Sequence, residues 1–250
     1  MKCYLAWVVS ILLSGQLYGQ KRQLDSLINI PSIGMSYSFQ FPGLDLATRY
    51  GLYSNAGASF FLKTKKNWLM GVEWNYIFGN QIRENGMLDS IRVPNGNIID
   101  RNGEYAIVRF YQRGHVAQVK LGKLFQTGWP NVNSGVFVMA SAGFVRHKIR
   151  IDEVGRRTPQ LSPDYKKGYD RLTGGLNTQL SIGYLFYSSY RLANFFFAMD
   201  LNYALTRSMR TWQFDLNRPD DTQRREFSAG PRIGLVIPLY RKTPNEFYFN

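Results

Sequence analysis

The sequence predicts an all-β fold, an eight-stranded antiparallel transmembrane β-barrel. Residues 67–79 (NWLMGVEWNYIFG) carry a large apolar side chain at every even position. A period of two over this length indicates a strand rather than a helix. Seven further segments alternate in a similar way, and their connections are alternately long and short. Outer-membrane barrels combine short periplasmic turns with long outer loops in this manner.

The strand at residues 67–79 shows the facing that the fold requires. Its odd positions form a mixed face with the carboxylate of Glu73. Its even positions are Trp68, Met70, Val72, Trp74, Tyr76 and Phe78. An apolar face flanked by aromatic residues, opposite a polar face, is typical of a strand between lipid and a polar lumen.

The composition fits one exported domain. The chain has 250 residues, of which 44% are hydrophobic and 15% aromatic. No apolar run after residue 20 approaches the roughly 18 residues that a membrane helix needs. The net charge of +14 could indicate nucleic acid as a partner. An exported chain does not meet nucleic acid, so we predict contact with anionic lipid headgroups instead.

The N-terminus has the pattern of a secretory signal at residues 1–19. Lys2 supplies the positive charge, residues 5–13 the apolar core and residues 14–19 a small and polar exit region. The core is too short for a membrane anchor. Cys3, the one cysteine, precedes the apolar core, which predicts a mature chain without disulfides, cysteine metal sites or a cysteine nucleophile.

The remaining chain divides into a periplasmic leader at residues 20–31, a barrel at residues 32–240 and a periplasmic tail at residues 241–250. The leader is either a short docking element or a disordered segment ended by Pro31. Within the barrel, the predicted strands span residues 32–41, 54–64, 67–79, 105–125, 134–151, 175–187, 191–212 and 226–240. The long connections between them are residues 42–52, 80–104, 152–170 and 213–225. Small residues blur the alternation in the fifth strand, so its facing stays open.

Four charged residues are predicted to face the barrel interior, because alternation places them opposite apolar neighbours. They are Glu73, Lys120, Asp200 and Arg232. A Lys or Arg at mid-bilayer that faces lipid would cost about 2–4 kcal/mol. Eight strands leave an interior that side chains fill, which excludes a porin. The charges form either an ion or proton path or a salt-bridged plug, and we favour the plug.

A basic collar is predicted at the outer rim, from one long loop and the upper ends of two strands. Its members are Arg146, Lys148, Arg150, Arg156, Arg157, Lys166, Lys167, Arg207 and Arg210. Arg and Lys bind phosphate well, so the collar predicts contact with anionic lipopolysaccharide. The alternative is a set of solvated surface charges.

The histidines give little support for catalysis. Small outer-membrane barrels include lipid A deacylases and palmitoyltransferases, which need a serine and a histidine near the outer rim. Neither His115 nor His147 has a serine two residues on. The adjacent Asp220 and Asp221 fit a solvated loop better than an acid–base pair. No phosphate-binding glycine loop and no metal-ligand spacing is present, so we predict no catalytic residue, cofactor or metal.

The C-terminal region carries an assembly signal. The barrel-assembly machinery reads a polar residue, a glycine and two apolar residues in the order of Arg232, Gly234, Ile237 and Leu239. A tail continues beyond this signal and ends in Phe247, Tyr248 and Phe249. Exposed aromatic residues favour docking on an envelope protein or beneath the barrel, and the alternative is a frayed end.

Three segments carry a family resemblance. They are TKKNWLMGVEWNYIFGN at residues 64–80, PQLSPDYKKGYDRL at residues 159–172 and IPLYRKTPNEFYF at residues 237–249. Through them the chain resembles the uncharacterised small outer-membrane β-barrel proteins of Bacteroidetes, and in architecture alone the OmpA/OmpX-type barrels. The resemblance implies an outer-membrane location and carries no catalytic residues.

These observations predict a non-enzymatic outer-membrane protein that is structural or a subunit of an envelope assembly or secretion complex. The first alternative is an enzyme that modifies lipid A, which a serine or carboxylate within hydrogen-bond reach of His147 would favour. The second is a surface adhesin that acts through its second and third loops. The alternative fold is a soluble β-sandwich.

Overall fold

The structure is a computed structural model that describes residues 27–155, 158–188 and 194–239. Each strand in this part of the chain pairs antiparallel with the next, and β8 pairs with β1 to close a barrel. The strands are β1 Ile30–Leu44, β2 Tyr53–Lys63, β3 Trp68–Gly79, β4 Val108–Gln126, β5 Gly135–Glu153, β6 Thr173–Phe186, β7 Phe195–Ser208 and β8 Arg224–Pro238. The predicted eight-stranded antiparallel barrel is confirmed.

The connections at the two ends of the barrel differ in length, as predicted, except at loop 1. Loop 2 (80–107), loop 3 (154–172) and loop 4 (209–223) are long, whereas loop 1 (45–52) at the same end has only eight residues. The connections at the other end are residues 64–67, 127–134 and 187–194, so two of them are as long as loop 1. No helix in the described residues is long and apolar enough to cross a membrane.

Side chains alternate between the interior and the surface along every strand. In β3, Trp74 is 49% exposed, whereas its neighbours Glu73 and Asn75 are buried. The alternation also fixes the facing of β5, which the sequence left open. There Phe144 points outward and Val145 inward.

The outward face is apolar around the whole barrel. On every strand it carries a large apolar residue that is 46–69% exposed: Met35, Phe60, Val72, Val119, Phe144, Leu176, Phe197 and Leu235. On β7 the apolar face runs without interruption from Phe195 to Leu205, and Arg207 follows. Ten residues span about 33 Å along a strand, or about 25 Å of height at the tilt of barrel strands.

The interior has three layers. An apolar cluster that includes Leu69, Leu124 and Phe137 fills the end with the short turns. Charged and amide side chains fill the middle. A second apolar cluster closes the end with the long loops, and much of it comes from the loops themselves: Leu46, Tyr50, Met87, Leu88, Ile98, Leu161 and Tyr169.

The capping of the barrel mouth was not predicted, because the long connections have the composition of polar surface loops. Loop 1 contains a short helix, α1 Asp45–Arg49, whose Leu46 and Arg49 are buried. The Arg49 guanidinium donates to Glu84 at 2.9 Å, to Thr173 at 3.0 Å and to the Arg171 carbonyl at 3.1 Å. A single buried cation thus ties loop 1 to loops 2 and 3 and to β6.

Several predicted strand limits differ from those of the structure, and two of these differences have a clear physical cause. β1 begins at Ile30, ahead of residue 32, because the Ile30 side chain is buried in the lower apolar cluster. β7 ends at Ser208 rather than residue 212, because Arg210 turns toward Asp170 in loop 3. The predicted signal at residues 1–19, most of the leader and the tail at residues 241–250 lie outside the described residues.

Candidate functional site

The four charged residues predicted to face inward meet in the middle of the barrel. Arg232 of β8 donates to both carboxylate oxygens of Glu73 at 2.9 and 3.1 Å. Its Nε lies 3.2 Å from Asp200 Oδ2 on β7. Lys120 of β4 forms an ion pair with Glu73. Two acids and two bases from four strands thus form one network, in which all four side chains are at least 92% buried.

Neutral polar side chains complete this network. Asn75 and Gln118 donate to Glu73 at 2.7 and 3.0 Å. The Ser181 hydroxyl donates to Asp200 at 2.8 Å and accepts from Arg232 at 3.1 Å. Because Glu73, Asp200 and Arg232 each have at least two hydrogen-bond or ion-pair partners, the network fixes the positions of these side chains. The arrangement fits a closed plug, and the apolar clusters above and below it fill the rest of the interior.

A second polar group lies nearer the barrel mouth, around His147. The imidazole Nε2 lies 2.9 Å from Glu226 Oε2, and Nδ1 lies 3.2 Å from the Tyr50 hydroxyl. Thr206 donates to Glu226 at 2.9 Å. Burial raises the pKa of Tyr50 to about 12, so its hydroxyl keeps its proton at neutral pH. The group joins β5, β7 and β8 to loop 1.

The carboxylate beside His147 meets the condition under which the sequence would favour a lipid A enzyme. The geometry around it does not resemble a nucleophilic site. His147 and Glu226 are 1% and 4% exposed and point into the barrel, away from the outward face. Both ring nitrogens already have partners, and the Thr206 hydroxyl is directed at Glu226. Within the described ranges, no serine or cysteine hydrogen-bonds the imidazole.

His115 and Asp220, the other candidates for chemistry, also contact neighbouring side chains. His115 points outward and packs on the rings of Trp74 and Tyr76, at centroid distances of 5.4 and 5.2 Å. Asp220 pairs with Arg224 at 2.5 Å. Burial of Asp220 raises its pKa, but the hydrogen bond and charge of Arg224 hold that pKa below its ordinary value. No group of three possible metal ligands occurs in the described part of the chain.

The predicted collar residues do not all share one environment. Arg146, Lys148 and Arg150 point outward on β5, and Arg207 points outward on β7. Arg210 instead forms a bidentate pair with the buried Asp170, at 2.9 and 2.6 Å. Arg210 therefore lies beyond the end of β7 and is paired within the protein.

The collar residues in loop 3 have environments different from those on the strands. Lys166 and Lys167 lie in a 3₁₀ turn of loop 3, and Lys167 pairs with Asp164 at 2.8 Å. Arg156 and Arg157 lie outside the described residues. Lys166 lines a groove of about 680 Å³ between loops 2 and 3, together with Arg101 and Arg150.

Sequence reasoning missed two cations. Arg113 of β4 lies directly opposite Lys148 on the outward face. Arg113 is an even number of residues from the outward Ala117 and Val119, so alternation along β4 places all three on the same face. The sequence therefore contains the signal that would have identified it. Lys63 is fully buried and donates to Asn133 at 2.9 Å. Lys63 directly follows the outward Leu62, so alternation along β2 places Lys63 inward, and the sequence contains this signal too.

The residues of the predicted C-terminal signal have packing roles in the barrel. Arg232 and Gly234 point inward, and Ile237 points outward. The Arg232 guanidinium lies over the Phe196 ring, 5.3 Å from its centroid. A Cβ atom at Gly234 would come within 2.3 Å of that ring, so only glycine leaves room for it. Leu239 is exposed just beyond β8, and Phe247, Tyr248 and Phe249 lie outside the described residues.

Comparison with known proteins gives distant structural likenesses only. No protein-family model matches the sequence, and no curated protein matches it. The fold is similar to that of Neisserial surface protein A, at 9% identity and a TM-score of 0.41, over 84% of this chain and 97% of that one. It is also similar to the attachment invasion locus protein Ail of Yersinia pestis, at 10% identity and a TM-score of 0.40, over 84% of this chain and 99% of that one. A third similar structure is OprG of Pseudomonas aeruginosa, at 10% identity and a TM-score of 0.35, over 87% of this chain and 99% of that one. At this identity no residue role is carried over.

Proposed function

We propose that the protein is an integral β-barrel of a bacterial outer membrane. The observation that carries this proposal is the apolar outward face, which continues around all eight strands. A soluble protein rarely exposes contiguous apolar patches larger than a few hundred Å². A closed barrel also leaves no unpaired strand edge, which hydrocarbon would not tolerate. We also propose that the protein is related to the small outer-membrane barrels of Bacteroidetes that its sequence resembles.

The proposed barrel is neither a pore nor an enzyme. The ion-pair network around Arg232 and the two apolar clusters occupy the interior. The buried pair of His147 and Glu226 joins a loop to the barrel wall, and it has the contacts of a structural group. We therefore propose a structural role, or that of a subunit in an envelope assembly or secretion complex. The proposed partners are anionic lipopolysaccharide, the barrel-assembly machinery during insertion and an envelope protein.

Extraction of the native protein in a mild detergent, followed by affinity purification and mass spectrometry, tests the proposed role. A complex subunit is expected to bring down envelope proteins in a fixed stoichiometry. An unrelated small barrel with the same tag, expressed at the same level, is the control. Recovery of the barrel alone would contradict the subunit role and direct attention to the groove between loops 2 and 3, where an adhesin would bind.

A further inference from the structure

We infer that one face of the barrel, across β3, β4 and β5, binds a single molecule of phosphorylated glycolipid. This inference rests on the proposed membrane location and deepens it. Two features of the outward face carry it, an apolar groove and a column of cations directly above the groove. Each is defined by the strand register.

The groove is about 1010 Å³ and lies on the outer wall of the barrel. Ala117 and Ala142 line it together with the larger side chains of Trp74 and Phe144, and it extends to Ile33 on β1 and Leu176 on β6. Register places Trp74 opposite Ala117, and Ala117 opposite Phe144. Small residues between large ones leave a depression in the apolar surface. In a membrane this depression must be occupied by lipid, since water does not enter the hydrocarbon layer.

The cation column starts on the next outward row toward the long loops. There His115 lies opposite Arg146, and one row higher Arg113 lies opposite Lys148. Arg150 stands on the row above. The rise from Ala117 to Arg113 is about 13 Å. A headgroup attached to a chain in the groove would therefore lie against these cations.

Two of the four Arg and Lys side chains of the column have no carboxylate partner within the described ranges. They are Arg146 and Arg113, and Arg113 donates to the Gly79 and Gln112 carbonyls at 3.3 and 2.6 Å. Lys148 lies 3.6 Å from Asp170, but Arg210 already binds that carboxylate. Arg150 lies 3.7 Å from the exposed Asp152. The column of cations is too long for one phosphate group to contact all of it, so it favours a ligand with several anionic groups. A phosphorylated glycolipid can carry several such groups, whereas an ordinary phospholipid has one phosphate.

Lipid titration of the purified full chain in phosphatidylcholine nanodiscs, read by native mass spectrometry, tests the inference. The probe is bisphosphorylated lipid A, compared with dephosphorylated lipid A and with phosphatidylglycerol. The Arg146→Gln/Lys148→Gln variant is expected to bind lipid A about 30-fold more weakly. The matched control is Lys65→Gln/Lys66→Gln, which removes two exposed charges at the opposite end of the barrel and should bind as the wild type does.

Filling the groove separates the two features. Ala117→Phe is expected to weaken lipid A binding about tenfold while leaving binding of the soluble, deacylated disaccharide phosphate unchanged. Equal binding of phosphorylated and dephosphorylated lipid A, or equal binding by the two double variants, would overturn the site. Such a result with protein inserted in the nanodiscs leaves the membrane location intact, whereas failure to insert would refute the proposed function itself.

Discussion

Replacing Arg232 by leucine is expected to lower the free energy of unfolding by about 3–5 kcal/mol. The guanidinium pairs with both Glu73 and Asp200, and Lys120 alone cannot neutralise two buried carboxylates. Removing one partner of a buried ion pair leaves a charge without compensation, which costs more than the pair itself contributes. Equilibrium urea unfolding in lipid vesicles, followed by tryptophan fluorescence, measures the change.

The matched control is Arg207→Leu, the same chemical change on the outward face of β7. Because Arg207 forms no ion pair within the described ranges, its loss should change the unfolding free energy by no more than about 0.5 kcal/mol. The double variant Arg232→Leu/Asp200→Leu restores neutrality and should recover part of the loss. If Arg232→Leu and Arg207→Leu are equally stable, the ion-pair network does not hold the interior together.

Replacing Met199 by arginine is expected to destabilise the barrel by about 2–4 kcal/mol in a bilayer. Met199 is 49% exposed and lies in the middle of the apolar face of β7. In a soluble protein, a charge at such an exposed position is harmless or beneficial. In a membrane, the same charge enters hydrocarbon. Urea unfolding in vesicles again gives the magnitude.

Ile107→Arg is the control for that prediction. Ile107 is 59% exposed, but it lies in loop 2, just before β4, where the proposed membrane ends. Its replacement should leave stability within about 0.5 kcal/mol of the wild type. Equal and small effects of the two substitutions would mean that the surface around Met199 meets water.

The sequence was sufficient for the barrel because its signal is local. Alternation with period two assigns each side chain to one face, and a lipid-facing charge is so unfavourable that the facing of Glu73 and Arg232 follows. The partners of those charges follow less directly, since Arg232 and Glu73 are far apart in sequence. They meet because closure forces all inward side chains of one level into a narrow interior.

The loops could not be predicted in the same way. The packing of Tyr50 onto His147 depends on a short helix that has no strong pattern of its own. The apolar residues that close the mouth are scattered singly or in pairs among polar ones, so no periodicity reveals them. The end of β7 was wrong for a related reason. Arg210 leaves the strand for a carboxylate in loop 3, a contact between distant parts of the chain.

Cysteine labelling in intact cells tests the central claim, the membrane barrel, most directly. Single cysteines replace Asn95 in loop 2, Lys66 in a short turn or Leu121 on the outward face of β4, in a Cys3→Ser background. With a membrane-impermeant maleimide, the Asn95 position should react on intact cells and the Lys66 position only after the outer membrane is permeabilised. Leu121 is 54% exposed on the protein surface, yet its cysteine should stay unlabelled until the protein is denatured. Reaction at position 121 in the native protein as fast as at position 95 would show that this face meets water, and would contradict the membrane barrel.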